Sequence, residues 1–130
     1  MRRLSALGII ALAGCGAQHL DPPDPRCTDP TQIERVAGGG AGPRISDCVH
    51  RAAKDTDLQE VGFAISRAAD HLGDKSDAHA LGFLIGAVRR GTGASGVQAE
   101  LVNRVEAVAR RVPGGSAAID RGVADGEAHG

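Results

Sequence analysis

The stretch TDLQEVGFAISRAADHLG, residues 56–73, decides the fold class. Leu58, Val61, Ile65, Ala68 and Leu72 recur at spacings of three, four, three and four, which places them on one face of an α-helix and off any strand period. Thr56 or Asp57 supplies an N-cap with Gln59 or Glu60 three residues on, and Gly73 supplies a stop. The same pattern returns twice downstream. Ser76 or Asp77 opens a segment carrying Leu81, Leu84, Ile85 and Val88 and closing at Gly91; Ser95-Gly96-Val97-Gln98 is a capping box ahead of Val97, Leu101, Val105, Val108 and Val112, which Pro113 ends. Three amphipathic helices joined by short turns must bury their stripes against one another, so the expectation is an all-α domain, a small three-helix bundle over residues 56–112.

Interior glycines mark one of these helices. Gly82 and Gly86 lie one turn apart, and each costs about 1 kcal/mol against Ala, so the spacing predicts a notch where a neighbouring helix approaches closely. Phe63 and Phe83 sit one or two positions off the main stripes and read as the edge of a wide core stripe; the alternative is a second apolar face in which they anchor a partner.

Upstream of the bundle, Asp29-Pro30-Thr31-Gln32 places an N-cap before a proline at the first helical position, predicting a short helix to Ala37 that Gly38, Gly39 and Gly40 end. Ser46-Asp47-Cys48-Val49 opens another running to about Lys54. This gives an N-terminal helical pair. Downstream, residues 113–130 are rich in Gly, Ala, Asp and His, with Ile119 and Val123 as isolated large apolar positions, and read as a flexible tail.

At the other end, Met1-Arg2-Arg3 precedes a ten-residue apolar run, Leu4 to Ala13, and then Gly14-Cys15-Gly16. A basic start and a short apolar run form the layout of a secretory signal, and the run falls short of the roughly 20 residues a transmembrane helix needs. Leu12-Ala13-Gly14-Cys15 resembles the lipobox of bacterial lipoproteins. That resemblance covers the leader alone and implies a diacylglycerol on the Cys15 thiol, cleavage between Gly14 and Cys15, and acylation of the new amino terminus. It also implies an extracytoplasmic, membrane-anchored protein, in the outer membrane of a two-membrane cell because Gly16 is not acidic. The expected organisation is a signal peptide over 1–14, a tether over 15–26, a helical domain over 27–112 and the tail over 113–130. Three prolines within residues 22–25 make the tether stiff, with a reach on the order of 30 Å.

With Cys15 assigned to lipid, Cys27 and Cys48 remain, and an oxidising compartment favours their pairing. Neither lies in a C-x-x-C pair, so a structural bridge bracing the helical pair is expected rather than a reactive thiol.

Composition removes several functional classes. The 130 residues hold 15 basic and 16 acidic side chains, no Trp, no Tyr and two Phe, which leaves no basic footprint for a phosphate backbone and no stacking platform for bases. Nucleic acid is thereby excluded as the expected partner. Loss of residues 1–14 takes Arg2 and Arg3 but no acid from a net charge of −1, leaving −3. Such a surface repels anionic lipid, so membrane affinity has to come from the anchor.

The one polar cluster that suggests chemistry is the helix corner Asp70-His71-Leu72-Gly73-Asp74-Lys75-Ser76-Asp77-Ala78-His79. His71, Asp74, Asp77 and His79 are candidate ligands for a divalent transition metal, which defines an alternative reading as an extracytoplasmic metal-binding protein. The spacing matches no H-E-x-x-H or calcium loop, and helix corners collect Asp, Ser and His as caps and dipole partners. No metal or cofactor is therefore assigned. Gly91 to Gly96 lacks the Gly-Lys-Ser/Thr ending of a phosphate loop and follows no strand, so it reads as a turn with a capping Ser; His19, His50 and His129 are isolated. The domain is expected to be non-catalytic, serving interaction with an envelope protein or a structural role.

Overall fold

The computed structural model describes residues 24–52, 57–92 and 96–130. Within them the secondary structure is helical throughout: α1 (Pro30–Ala37), α2 (Ile45–Ala52), α3 (Leu58–Asp74), α4 (Ala78–Gly91), α5 (Gly96–Arg110) and α6 (Ser116–His129). The all-α expectation holds. The three-helix bundle does not, because α6 forms where a flexible tail is expected and α1 and α2 share the same core.

The N-terminal pair forms for the reasons its sequence suggests. Asp29 caps α1 by accepting from the Thr31 N–H at 2.9 Å, and Pro30 takes the first helical position, where no backbone donor is needed. One face of α1 buries Ile33, Val36 and Ala37 and packs on α3. Ile45, Cys48, Val49 and Ala52 of α2 pack on α4 and α3, and the Cys27–Cys48 disulfide ties the segment before α1 to this helix with Cα atoms 5.5 Å apart.

α3 and α4 form a helical hairpin whose turn departs from expectation in one detail. α3 continues through Gly73 to Asp74, and the left-handed residue at its end is Ser76, with φ 54°. The Ser76 N–H bonds to the Gly73 carbonyl at 3.0 Å and the Asp77 N–H to the Leu72 carbonyl at 2.9 Å, a Schellman arrangement in which a serine occupies the usual glycine place. Gly73 serves packing instead: a Cβ there would lie 2.6 Å from Val108 Cγ1 of α5. Asp77 then caps α4, accepting from the Ala80 N–H at 3.1 Å.

α5 runs in the same sense as α3, with Leu101 opposite Gly62 and Val108 opposite Gly73, and Leu101, Val105, Val108 and Ala109 complete the core. α6 lies parallel to α4. Its buried residues are Gly122 and Gly126, and these meet Gly82 and Gly86 backbone to backbone. A Cβ at any of the four would fall well inside 3.0 Å of a main-chain atom of the other helix: Ile119 O for Gly82, Val123 O for Gly86, His79 O for Gly122 and Phe83 O for Gly126.

The notch read from Gly82 and Gly86 is therefore real, and its occupant is the segment expected to be a tail. Ile119 and Val123 are half-buried and would indeed be too few to dock a helix by side-chain burial alone. Close backbone approach replaces that burial, since every atom of the seam gains van der Waals contact that bulkier residues would hold apart. Polar clamps finish the C-terminal turn of α6, where carbonyls lack intrahelical donors. Arg90 Nη1 donates to the Glu127 and Ala128 carbonyls at 2.9 and 2.7 Å, and the Ser46 N–H of α2 donates to the Gly130 carbonyl at 2.8 Å.

Two glycine substitutions of opposite sign test this seam. Gly122→Ala is expected to lower unfolding free energy by about 2–3 kcal/mol, because neither backbone can move aside, and to abolish amide-exchange protection across α6. Gly62→Ala, whose Cβ would meet Leu101 Cδ1 at an ordinary 3.9 Å, is expected to raise it by about 0.5–1 kcal/mol. Equal effects in urea melts would overturn the backbone-contact account.

Candidate functional site

The corner from Asp70 to His79 is built from the end of α3, the Ser76 turn and the start of α4. Its side chains leave in different directions. His71 Nδ1 pairs with Glu34 Oε2 of α1 at 2.9 Å, and the Lys75 ammonium donates to the other oxygen of the same carboxylate. Asp77 is occupied as the α4 cap, and His79 Nε2 pairs with Asp125 Oδ2 of α6 at 2.8 Å. Asp70 and Asp74 line a shallow cleft of about 430 Å³ with Gly73, Val108 and Arg111.

Among the described residues no three His, Cys, Asp or Glu side chains come together to hold a metal ion. Of the candidates, His71 ties α3 to α1 and His79 ties α4 to α6, while Asp77 caps α4 and Asp74 borders the cleft beside α5. Both anchoring carboxylates lie beyond any local motif. Glu34 is 37 residues before His71, and Asp125 is 46 after His79, in the segment whose helical structure the composition conceals.

Glu34 is the titrating group that this arrangement moves most clearly. The hydrogen bond from Lys75 and then that from His71 hold its carboxyl below the usual glutamate range, against the smaller opposing effect of burial. Asp24 is lowered in the same way by Arg26, at an exposed site.

The two phenylalanines do not share a face. Phe63 is 63% exposed, with the Arg67 guanidinium carbon 5.6 Å from its ring centroid, while Phe83 is half-buried against the core and its carbonyl lies in the α4–α6 seam. The wide core stripe thus extends to Phe83 but not to Phe63. Position decides this: on α3 the buried face is Val61, Ala64, Ile65, Ala68, Ala69 and Leu72, and Phe63 points off it.

Between α5 and α6 runs a groove of about 560 Å³. It exists because α6 is drawn down onto α4 by the glycine seam while α5 packs on another flank of α4, so α5 and α6 barely touch. Ile85, Val112, Ile119 and Val123 present apolar surface along it, Gly114 and Gly115 border it, and Arg89 lies within it. Arg89 is bound to Glu106 and reaches Glu127 at 3.8 Å.

Of the other sequence candidates, the Cys27–Cys48 bridge is formed, with both residues buried at 6% and 2%. Cys15, the leader, the start of the tether, Lys54 and Ser95 lie outside the described residues. No protein-family profile matches the chain, and neither the curated proteins nor the solved structures include one similar to it.

Two stability predictions follow from this geometry. Because the Glu34 carboxyl is lowered on folding, it contributes stability at neutral pH that is lost as pH falls through its folded value. Glu34→Gln is expected to cost about 0.5–1 kcal/mol at pH 7, with the difference from wild type closing in acid; a gap independent of pH in thermal melts would overturn the assignment. Reduction of Cys27–Cys48, whose loop separates the two by 21 positions, is expected to lower stability by about 3 kcal/mol in denaturant titrations with and without reductant.

Proposed function

We propose that this chain is a bacterial envelope lipoprotein, anchored through diacylglycerol on Cys15, whose helical domain acts by binding or as a structural element rather than by catalysis. The observation that carries the proposal is the order basic start, ten-residue apolar run and Leu12-Ala13-Gly14-Cys15. Physically, an anchor of two or three acyl chains suffices for stable attachment, at about 0.8 kcal/mol per buried CH₂. No polybasic surface is then needed, which agrees with a processed chain of net charge −3, since loss of Arg2 and Arg3 removes two positive charges from −1.

The disulfide supports the same compartment. Cys27 and Cys48 pair within the folded domain, as expected where thiols oxidise, and Cys15 is the remaining cysteine. Among the described residues no helix is long and apolar enough to cross a membrane; in this reading attachment is the work of Cys15. The partner is an envelope protein, and in a two-membrane cell the site of anchoring is the periplasmic face of the outer membrane.

The intact mass of the protein extracted from its own host membranes tests this reading. The expected mass is residues 15–130 plus a diacylglycerol and an acyl chain, rising by two protons on reduction. Cys15→Ser is expected to abolish lipidation and membrane retention together. An unlipidated wild-type mass, or wild-type attachment that survives Cys15→Ser, overturns the proposal.

A further inference from the structure

We propose that the groove between α5 and α6 binds a short apolar peptide with free ends, its carboxylate held by Arg110 and its ammonium by Asp120. This inference does not depend on the anchor at Cys15. It rests on three features of the groove.

The groove has the size of a small-molecule site: its volume of about 560 Å³ lies within the roughly 300–1,000 Å³ of such pockets. Its surface is apolar where a ligand body would lie. Val112, Ile119 and Val123 pack on the core with one side and remain half-open on the other, and Ile85 beneath them is 3% exposed. A ligand that covers this surface removes apolar area from water without displacing any side-chain packing.

The third feature is charge. Arg110 on the α5 wall and Asp120 on the α6 wall both line the groove, and among the described residues neither side chain has a hydrogen bond or an ion pair, with the other or with any other group. Other charges at the groove are already satisfied, Arg89 by Glu106 and Glu127. One free cation and one free anion on opposite walls complement a ligand that carries both signs around an apolar body. A fatty acid satisfies Arg110 alone and sets its carboxylate in the same groove as Asp120; an apolar amine has the reverse fault. A short peptide of apolar residues satisfies both walls, and the planar guanidinium suits its terminal carboxylate.

The test is a methyl-detected NMR titration of the full chain, carrying Cys15→Ser so that no acyl group is attached, with free trileucine as the probe. Trileucine is expected to shift the methyls of Ile119, Val123 and Val112. N-acetyl-trileucine-amide is expected to bind at least tenfold more weakly. Arg110→Gln and Asp120→Asn, both exposed, are each expected to weaken trileucine about tenfold, the loss of one charge-assisted hydrogen bond, without changing the melting temperature. Arg104→Gln, which removes the partner of Glu100 on the outer face of α5, is expected to change nothing. Absence of shifts at millimolar trileucine overturns the proposal. So does equal binding of the capped peptide, or tighter binding of decanoate.

Discussion

Five other described helices pack on α4, and a helix of 14 residues can serve five neighbours only if its own side chains stay small where the neighbours come nearest. That constraint organises the molecule. Gly82 and Gly86 open one flank to α6, and Gly91 opens the last turn to α2, where a Cβ would lie 2.5 Å from the Ser46 carbonyl oxygen. The remaining flanks carry Leu81, Leu84, Ile85 and Val88, all buried toward the other helices. A helix buried nearly all round is the expected form for such a hub.

The consequence for the surface is a division of labour among the outer helices. α1, α2, α3 and α5 dock by apolar side chains and can tolerate the rotamer adjustments that side-chain packing allows. α6 docks by backbone and is positioned by polar contacts over its C-terminal part, Asp125 with His79 and the Glu127, Ala128 and Gly130 carbonyls with Arg90 and the Ser46 amide. Because α6 follows α4 and not α5, a groove remains between α5 and α6. The concavity that offers unpaired charges is thus a by-product of how four glycines are placed.

Charge follows the same logic at the α3–α4 corner. Two histidines and three aspartates within ten residues suggest a ligand set in one dimension. In three dimensions the turn fans them out, and the carboxylate that binds His71 together with Lys75, Glu34, comes from a different helix. The corner serves as a junction of four helices.

What the sequence by itself determined is local. The stripe from Leu58 to Leu72, the Asp29-Pro30 start, the Asp77 cap and the glycine notch at 82 and 86 all rest on interactions between residues a turn or two apart, so periodicity and capping rules reach them. The cysteine pair was legible because, with Cys15 read as the lipid site, Cys27 and Cys48 left one pairing. Tertiary structure alone decided that residues 116–129 are a helix, that Glu34 and Asp125 meet the two histidines, and that Phe63 faces solvent. Gly122 and Gly126 read as helix-breaking in isolation because a glycine's cost is local; its return here is a backbone contact with a helix about 40 residues earlier, which no pattern of apolar side chains records.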